Sequence, residues 1–202
     1  MKGFWLFLAS RKAQWFGLLL VATAVLVALA PLDPTAVLLR DQVRVQAYLI
    51  MAAVPGLALS VFLQSPGPAL EAATGRRRLV LYRLGLAVVV LVGGIGVVLA
   101  GGAVSGLPCF DLWAMARNAA CATGLALVLC CVLPRDGLVL VLITYGLVTW
   151  HFGVKDMFGT PYPWAVWLHE FQYPGPSELV ALAAAVLGVG LYSTLGEVPR
   201  GR

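Results

Sequence analysis

Residues 65–83 read SPGPALEAATGRRRLVLYR, the longest polar interruption between apolar runs, and they hold four of the fourteen basic residues in the chain. Prolines at Pro66 and Pro68, a carboxylate at Glu71 and the cluster Arg76, Arg77, Arg78 do not belong in hydrocarbon. The stretch is therefore expected to be an exposed loop over 65–80. Its arginines place it on the cytoplasmic side, because cytoplasmic loops carry the excess of Lys and Arg. A cytosolic partner is expected to meet the chain here.

Apolar runs lie to either side, at about 15–32, 45–64, 81–104, 117–133, 138–153 and 178–196. Each is at or near the roughly 17–25 residues that a membrane helix needs. The reading is thus an all-α integral membrane protein with six transmembrane helices, forming one domain over 1–202. The composition agrees: 61% of the 202 residues are hydrophobic and 11% charged, and the mean hydropathy is +0.92. An average soluble domain is about 45–50% apolar and about 25% charged.

The net charge of +5 reads as topology, not as a nucleic-acid surface, since the basic residues form no stripe with interleaved aromatics. With the N-terminus in the cytoplasm, that side collects Lys2, Arg11, Lys12, Arg76, Arg77, Arg78, Arg83, Arg135, Arg200 and Arg202. The other side keeps Arg40, Arg44, Arg117 and Lys155, offset by Asp33, Asp41, Asp111, Asp156, Glu170 and Glu178. This imbalance orients the chain in the plasma membrane with both termini cytoplasmic.

The first run, ending Ala28-Leu29-Ala30 after Lys2, Arg11 and Lys12, has the outline of a signal peptide. It follows Met1 in the chain and is expected to remain as the first span. Residues 1–14, MKGFWLFLASRKAQ, are too short to span and mix Phe4, Trp5, Phe7 and Leu8 with basic residues, which suits an interfacial helix. A ragged start to the first span is the plainer alternative.

Pro55 should kink the second run. In the third, Gly93, Gly94 and Gly96 allow close helix approach, and Gly102 and Gly106 have GxxxG spacing that could form a helix seam. Pro134-Arg135-Asp136-Gly137 reads as a tight turn, making the fourth and fifth runs antiparallel neighbours. The outer connector 154–177 is rich in aromatics. Pro163 can open a helix, and Trp164, Trp167, Leu168 and Phe171 then share one face. A short re-entrant or interfacial outer helix is expected before the last span.

Chemistry is sparse. Cys109, Cys121, Cys130 and Cys131 lack C-x-x-C spacing and read as small packing residues. His151 and His169 are eighteen residues apart with no acid cluster, so no metal site and no catalytic residue is expected. No G-x-x-x-x-G-K-[ST] phosphate loop is present, so ATP hydrolysis is not expected on this chain. Arg117, His151 and Glu178 fall at or near the outer interface in this reading, leaving no ionisable group at the bilayer centre of the kind a proton-coupled pump uses.

The layout resembles the membrane subunit of type 2 ABC exporters, in particular small actinobacterial permeases. The matching features are an interfacial N-terminal helix, six spans, the Ser65, Pro66, Glu71, Arg76 run, the Arg117-Asn118 pair at the start of the fourth span and Trp164-Ala165 before the last. The resemblance implies that 65–83 is a coupling helix whose Glu71, Arg76, Arg77 and Arg78 contact a separate ATP-binding subunit carrying ATP and Mg. It also implies a homodimer with the substrate path at its seam and an outer gate at Trp164, Trp167, Leu168 and Phe171. The cargo would be an amphipathic or apolar compound: a peptide antibiotic, a drug or a lipid.

Each residue has a plainer alternative. The arginines can fix topology and bind anionic lipid headgroups, Glu71 can pair locally with Arg76 or Arg77, and Trp164 and Trp167 can form an aromatic belt. A non-transporting membrane scaffold or immunity protein is the competing function. A lipid-modifying enzyme would need Arg117, Asn118 and His151 to converge on one pocket.

Overall fold

A computed structural model describes residues 13–29, 38–40, 43–45, 52–56, 76–107, 109–153, 162, 165–166 and 176–196. Among these residues the long elements are helices: α1 (Ala13–Leu29), α2 (Arg76–Val104), α3 (Cys109–Cys130), α4 (Arg135–Phe152) and α5 (Pro176–Leu195). Three of them are long and apolar enough to cross a membrane: α2, α3 and residues Ser177–Leu195 of α5. A short hairpin precedes α2, with β1 (Leu38–Arg40) antiparallel to β2 (Val43–Val45) and Leu39 opposite Arg44.

The described helices begin earlier in the chain than the apolar runs imply. α2 starts at Arg76 instead of 81, so Arg76, Arg77 and Arg78 form its exposed first turn and the expected 65–80 loop is corrected at its C-terminal end. Arginine is a good helix former, and nothing after Gly75 breaks the backbone pattern. At 29 residues, α2 is about 43 Å long, against a hydrocarbon core of about 30 Å, so its charged first turns extend past the apolar layer. α3 starts at Cys109, eight residues before the expected 117, with Asp111 in its first turn where the helix dipole favours an acid.

Two local expectations are also corrected. Gly106 is not part of a helix seam. It has φ of 73° and nothing within 4 Å of where a Cβ would stand. Gly106 N donates to Ala103 O and Leu107 N to Gly102 O, both at 3.1 Å, which is the pattern of a Schellman cap. Gly102 is buried inside the chain against Leu112 and Met115. The turn between α3 and α4 lies at 131–134, with Leu138 N donating to Pro134 O at 3.0 Å, so Arg135, Asp136 and Gly137 already belong to α4.

α3 is the central helix: it packs on α2, α4 and α5, while α1 packs on α2 and α5 also reaches α2. The buried side chains form three clusters along it. One holds Leu86, Leu127, Leu138 and Tyr192 at the end that carries the arginine turn. Another holds Ala52, Val98 and Met115 toward the opposite end, and a third joins Ala53, Cys121, Val166 and Ala181. Outward faces carry Leu81, Val92, Leu140, Leu147, Leu182 and Val186, all exposed. An apolar exterior around a core rich in alanine and glycine is the arrangement of helices in lipid, where close packing of small residues replaces the hydrophobic drive.

Candidate functional site: a buried arginine between three helices

The polar group that stands out against this apolar bundle is Arg117. It lies on the ninth residue of α3, only 6% exposed, beside Asn118 at 0% and facing Ser177 at 0% in the first turn of α5. Its Nε and Nη2 donate to Asn118 Oδ1 at 3.3 and 3.1 Å. Nη2 also donates to Val166 O at 3.3 Å, and Nη1 to Ser177 Oγ at 3.5 Å. Arg117 and Asn118 were expected at the start of a span near the outer interface. They sit instead two turns inside a helix, in the protein interior.

Four segments build this site. α3 supplies Arg117, Asn118 and, one turn on, the buried thiol of Cys121. α5 supplies Ser177 and Glu178, whose charge acts on Arg117. The carboxylate is held by Trp113, which donates from Nε1 to Glu178 Oε1 at 3.1 Å. α4 supplies Tyr145, half-buried and packed against the cluster of Cys121, Val166 and Ala181, with the buried Thr149 one turn along the same helix. The fourth segment is the connector itself: Tyr162 N donates to Gly153 O at 2.8 Å, Ala165 N to Tyr162 O at 2.9 Å, and Ala165 and Val166 are fully buried.

The opposite end of the bundle has its own tie. Arg83 Nη1 donates to Leu195 O at 3.3 Å, a cation at the carbonyl end of α5. Gly196 follows with φ of 76°, and a Cβ there would overlap the Arg83 guanidinium. Arg76, Arg77 and Arg78 stand two turns away on the same helix, exposed.

No known family, curated protein or solved structure matches the chain. The functional reading therefore rests on the residues and their placement.

Of the residues singled out from the sequence, Arg76, Arg77 and Arg78 are together at one end of the bundle. Glu71 and the set Trp164, Trp167, Leu168 and Phe171 lie outside the described residues, as do 1–12 and His169. Arg117 and Asn118 converge; the His151 side chain is outside the described set. Among the described residues no three His, Cys, Asp or Glu side chains gather at one point. The four cysteines carry free thiols, with Cys130 and Cys131 each donating from Sγ to Leu127 O. Sequence reasoning took Arg117 as a span boundary because of its charge. The missed signal was the apolar sequence before it, from Leu112 to Ala116, which continues the same helix upstream.

Proposed function

We propose that this chain is the membrane subunit of an ATP-driven exporter, similar to type 2 ABC permeases, which works as a homodimer with a separate ATP-binding subunit and moves an amphipathic or apolar compound. The observation that carries this reading is the exposed arginine turn at the start of α2. That turn is covalently continuous with a 29-residue helix packed against α1, α3 and α5, so a push delivered at Arg76 to Arg78 reaches the core without passing through a loop. A triple-arginine turn presents guanidinium forks suited to carboxylates of a docking protein.

The architecture belonging to this proposal has six crossings, both termini in the cytoplasm and a plasma-membrane location. It is supported by the direction of α1. Ser105 Oγ, just past the end of α2, lies 3.1 Å from Ala28 O near the end of α1, and Leu20 approaches Gly93 midway. α1 and α2 thus run parallel, as a return crossing between Leu29 and Arg76 would require. Residues 52–56 of that stretch are at mid-depth: Gly56 against Ala122, Pro55 against Gly94 and Thr123.

The test is capture, by the tagged protein, of whichever ATP-binding subunit is encoded beside it. Wild type should retain it, and Glu71→Lys, or Arg76, Arg77 and Arg78 changed together to Gln, should lose it while inserting normally. A well-inserted wild type that retains no ATPase removes the coupling argument and favours a scaffold or immunity protein.

A further inference from the structure

Arg76, Arg77 and Arg78 are all exposed, yet the turns that follow give them different surroundings. Residues three and four apart are neighbours on a helix surface. Arg77 and Arg78 therefore both adjoin Leu81, and from Leu81 the same face continues through Leu84, Val88 and Val92, all four exposed. Arg76 heads another row, through Arg83, Ala87, Val90 and Gly94. The last three are buried, and Arg83 donates to Leu195 O. The arginine turn is thus divided: Arg77 and Arg78 stand over an outward apolar row, and Arg76 stands over the inward one.

The dimensions of the outward row match one lipid molecule. Leu81 to Val92 rises about 16 Å, close to the roughly 15 Å of hydrocarbon in a single leaflet. Arg77 stands about 6 Å beyond Leu81, within a headgroup layer about 5–8 Å deep on each side of the bilayer. α1 meets α2 at Gly93, on a different side, and leaves the row open. Two guanidinium forks suit the oxygens of a phosphate, and the row below them suits an acyl chain carried on that phosphate.

We propose that Arg77, Arg78 and the row Leu81, Leu84, Val88 and Val92 form a docking site for an anionic phospholipid of the leaflet at the arginine end. The phosphate sits on the two guanidinium groups and an acyl chain lies along the row. Arg76, on the inward side, takes no part. The site does not rest on the exporter reading and holds whether or not an ATP-binding subunit docks.

The experiment places the full-length chain in detergent micelles holding equal amounts of phosphatidylglycerol and phosphatidylcholine, and reads by native mass spectrometry the ratio of the two lipids that stay bound. Wild type should retain phosphatidylglycerol in excess. Arg77→Gln and Arg78→Gln should each lower that excess by about fivefold, the effect of one basic residue at an anionic surface. Arg76→Gln should leave it unchanged. An equal fall in Arg76→Gln overturns the site, since net charge alone would then set the preference, and so does an unchanged ratio in Arg77→Gln and Arg78→Gln. Loss of bound phosphatidylglycerol on adding millimolar glycerol 3-phosphate also overturns it, because the arginines would then hold a free phosphate without help from the acyl chain.

Discussion

Asn118 has one oxygen serving two nitrogens of Arg117, so the charge of the buried site depends on a neutral residue. Hydrogen bonds to a charged group contribute about 1.5–3 kcal/mol each, and leaving a buried charge without its acceptor costs about 3–5 kcal/mol. Asn118→Leu should therefore lower the thermal unfolding midpoint of the detergent-solubilised protein by several degrees or prevent insertion. Asn118→Asp keeps the acceptor oxygen and adds a countercharge, and should stay near wild type. Equal loss in both variants would mean that Asn118 matters through its shape and amide donors. The pair itself was visible in the sequence. Its place was not, because a charge in an apolar run reads equally as an end of the run or as a group satisfied inside it, and only Ser177 and Val166, 60 and 49 residues from Arg117, decide between them.

At the scale of elements, α3 and α5 meet through small residues. A Cβ at Gly124 would overlap the backbone of Ala184 and Ala185, and one at Gly188 would overlap Gly124 O. The two helices touch main chain to main chain, which maximises van der Waals contact where lipid removes the hydrophobic drive. Gly124→Val should force them apart and cut the yield of folded, monodisperse protein, measured by fluorescence-detected gel filtration. Gly190→Ala and Gly96→Ala, where nothing lies within 4 Å, should be neutral or gain up to about 1 kcal/mol from reduced backbone freedom. A uniform response across the three positions would show that helix propensity, not the seam, sets the outcome. Glycine spacing within one helix had pointed to Gly102 and Gly106, which proved to be an internal contact and a cap. Gly124 and Gly188 belong to different helices, and a pairing across 64 positions leaves no local pattern.

For the whole molecule, the packing gathers at one end of the bundle basic residues that lie far apart in the sequence. Lys and Arg cluster at the N-terminus and at the start of α2, and Arg135 alone follows the α3–α4 turn; the described helices place the last two at one end, with Arg83 and the close of α5. Exposed Cys109, at the start of α3, marks the other end. If the positive residues face the cytoplasm, a membrane-impermeant maleimide should label Cys109 in intact cells, in a background where Cys121, Cys130 and Cys131 are Ala. With Cys109 also replaced, Arg77→Cys should label only in inside-out vesicles. Lys12→Cys, immediately before α1, separates the crossing numbers. The parallel run of α1 and α2 requires it to behave like Arg77→Cys, with two crossings between them. Labelling of Lys12→Cys from the outside, with Arg77→Cys still inside, would mean an odd number of crossings before α2 and would break the parallel arrangement that Ser105 and Ala28 support. The same-side result instead means that the chain crosses back between Leu29 and Arg76, as the parallel run of α1 and α2 requires.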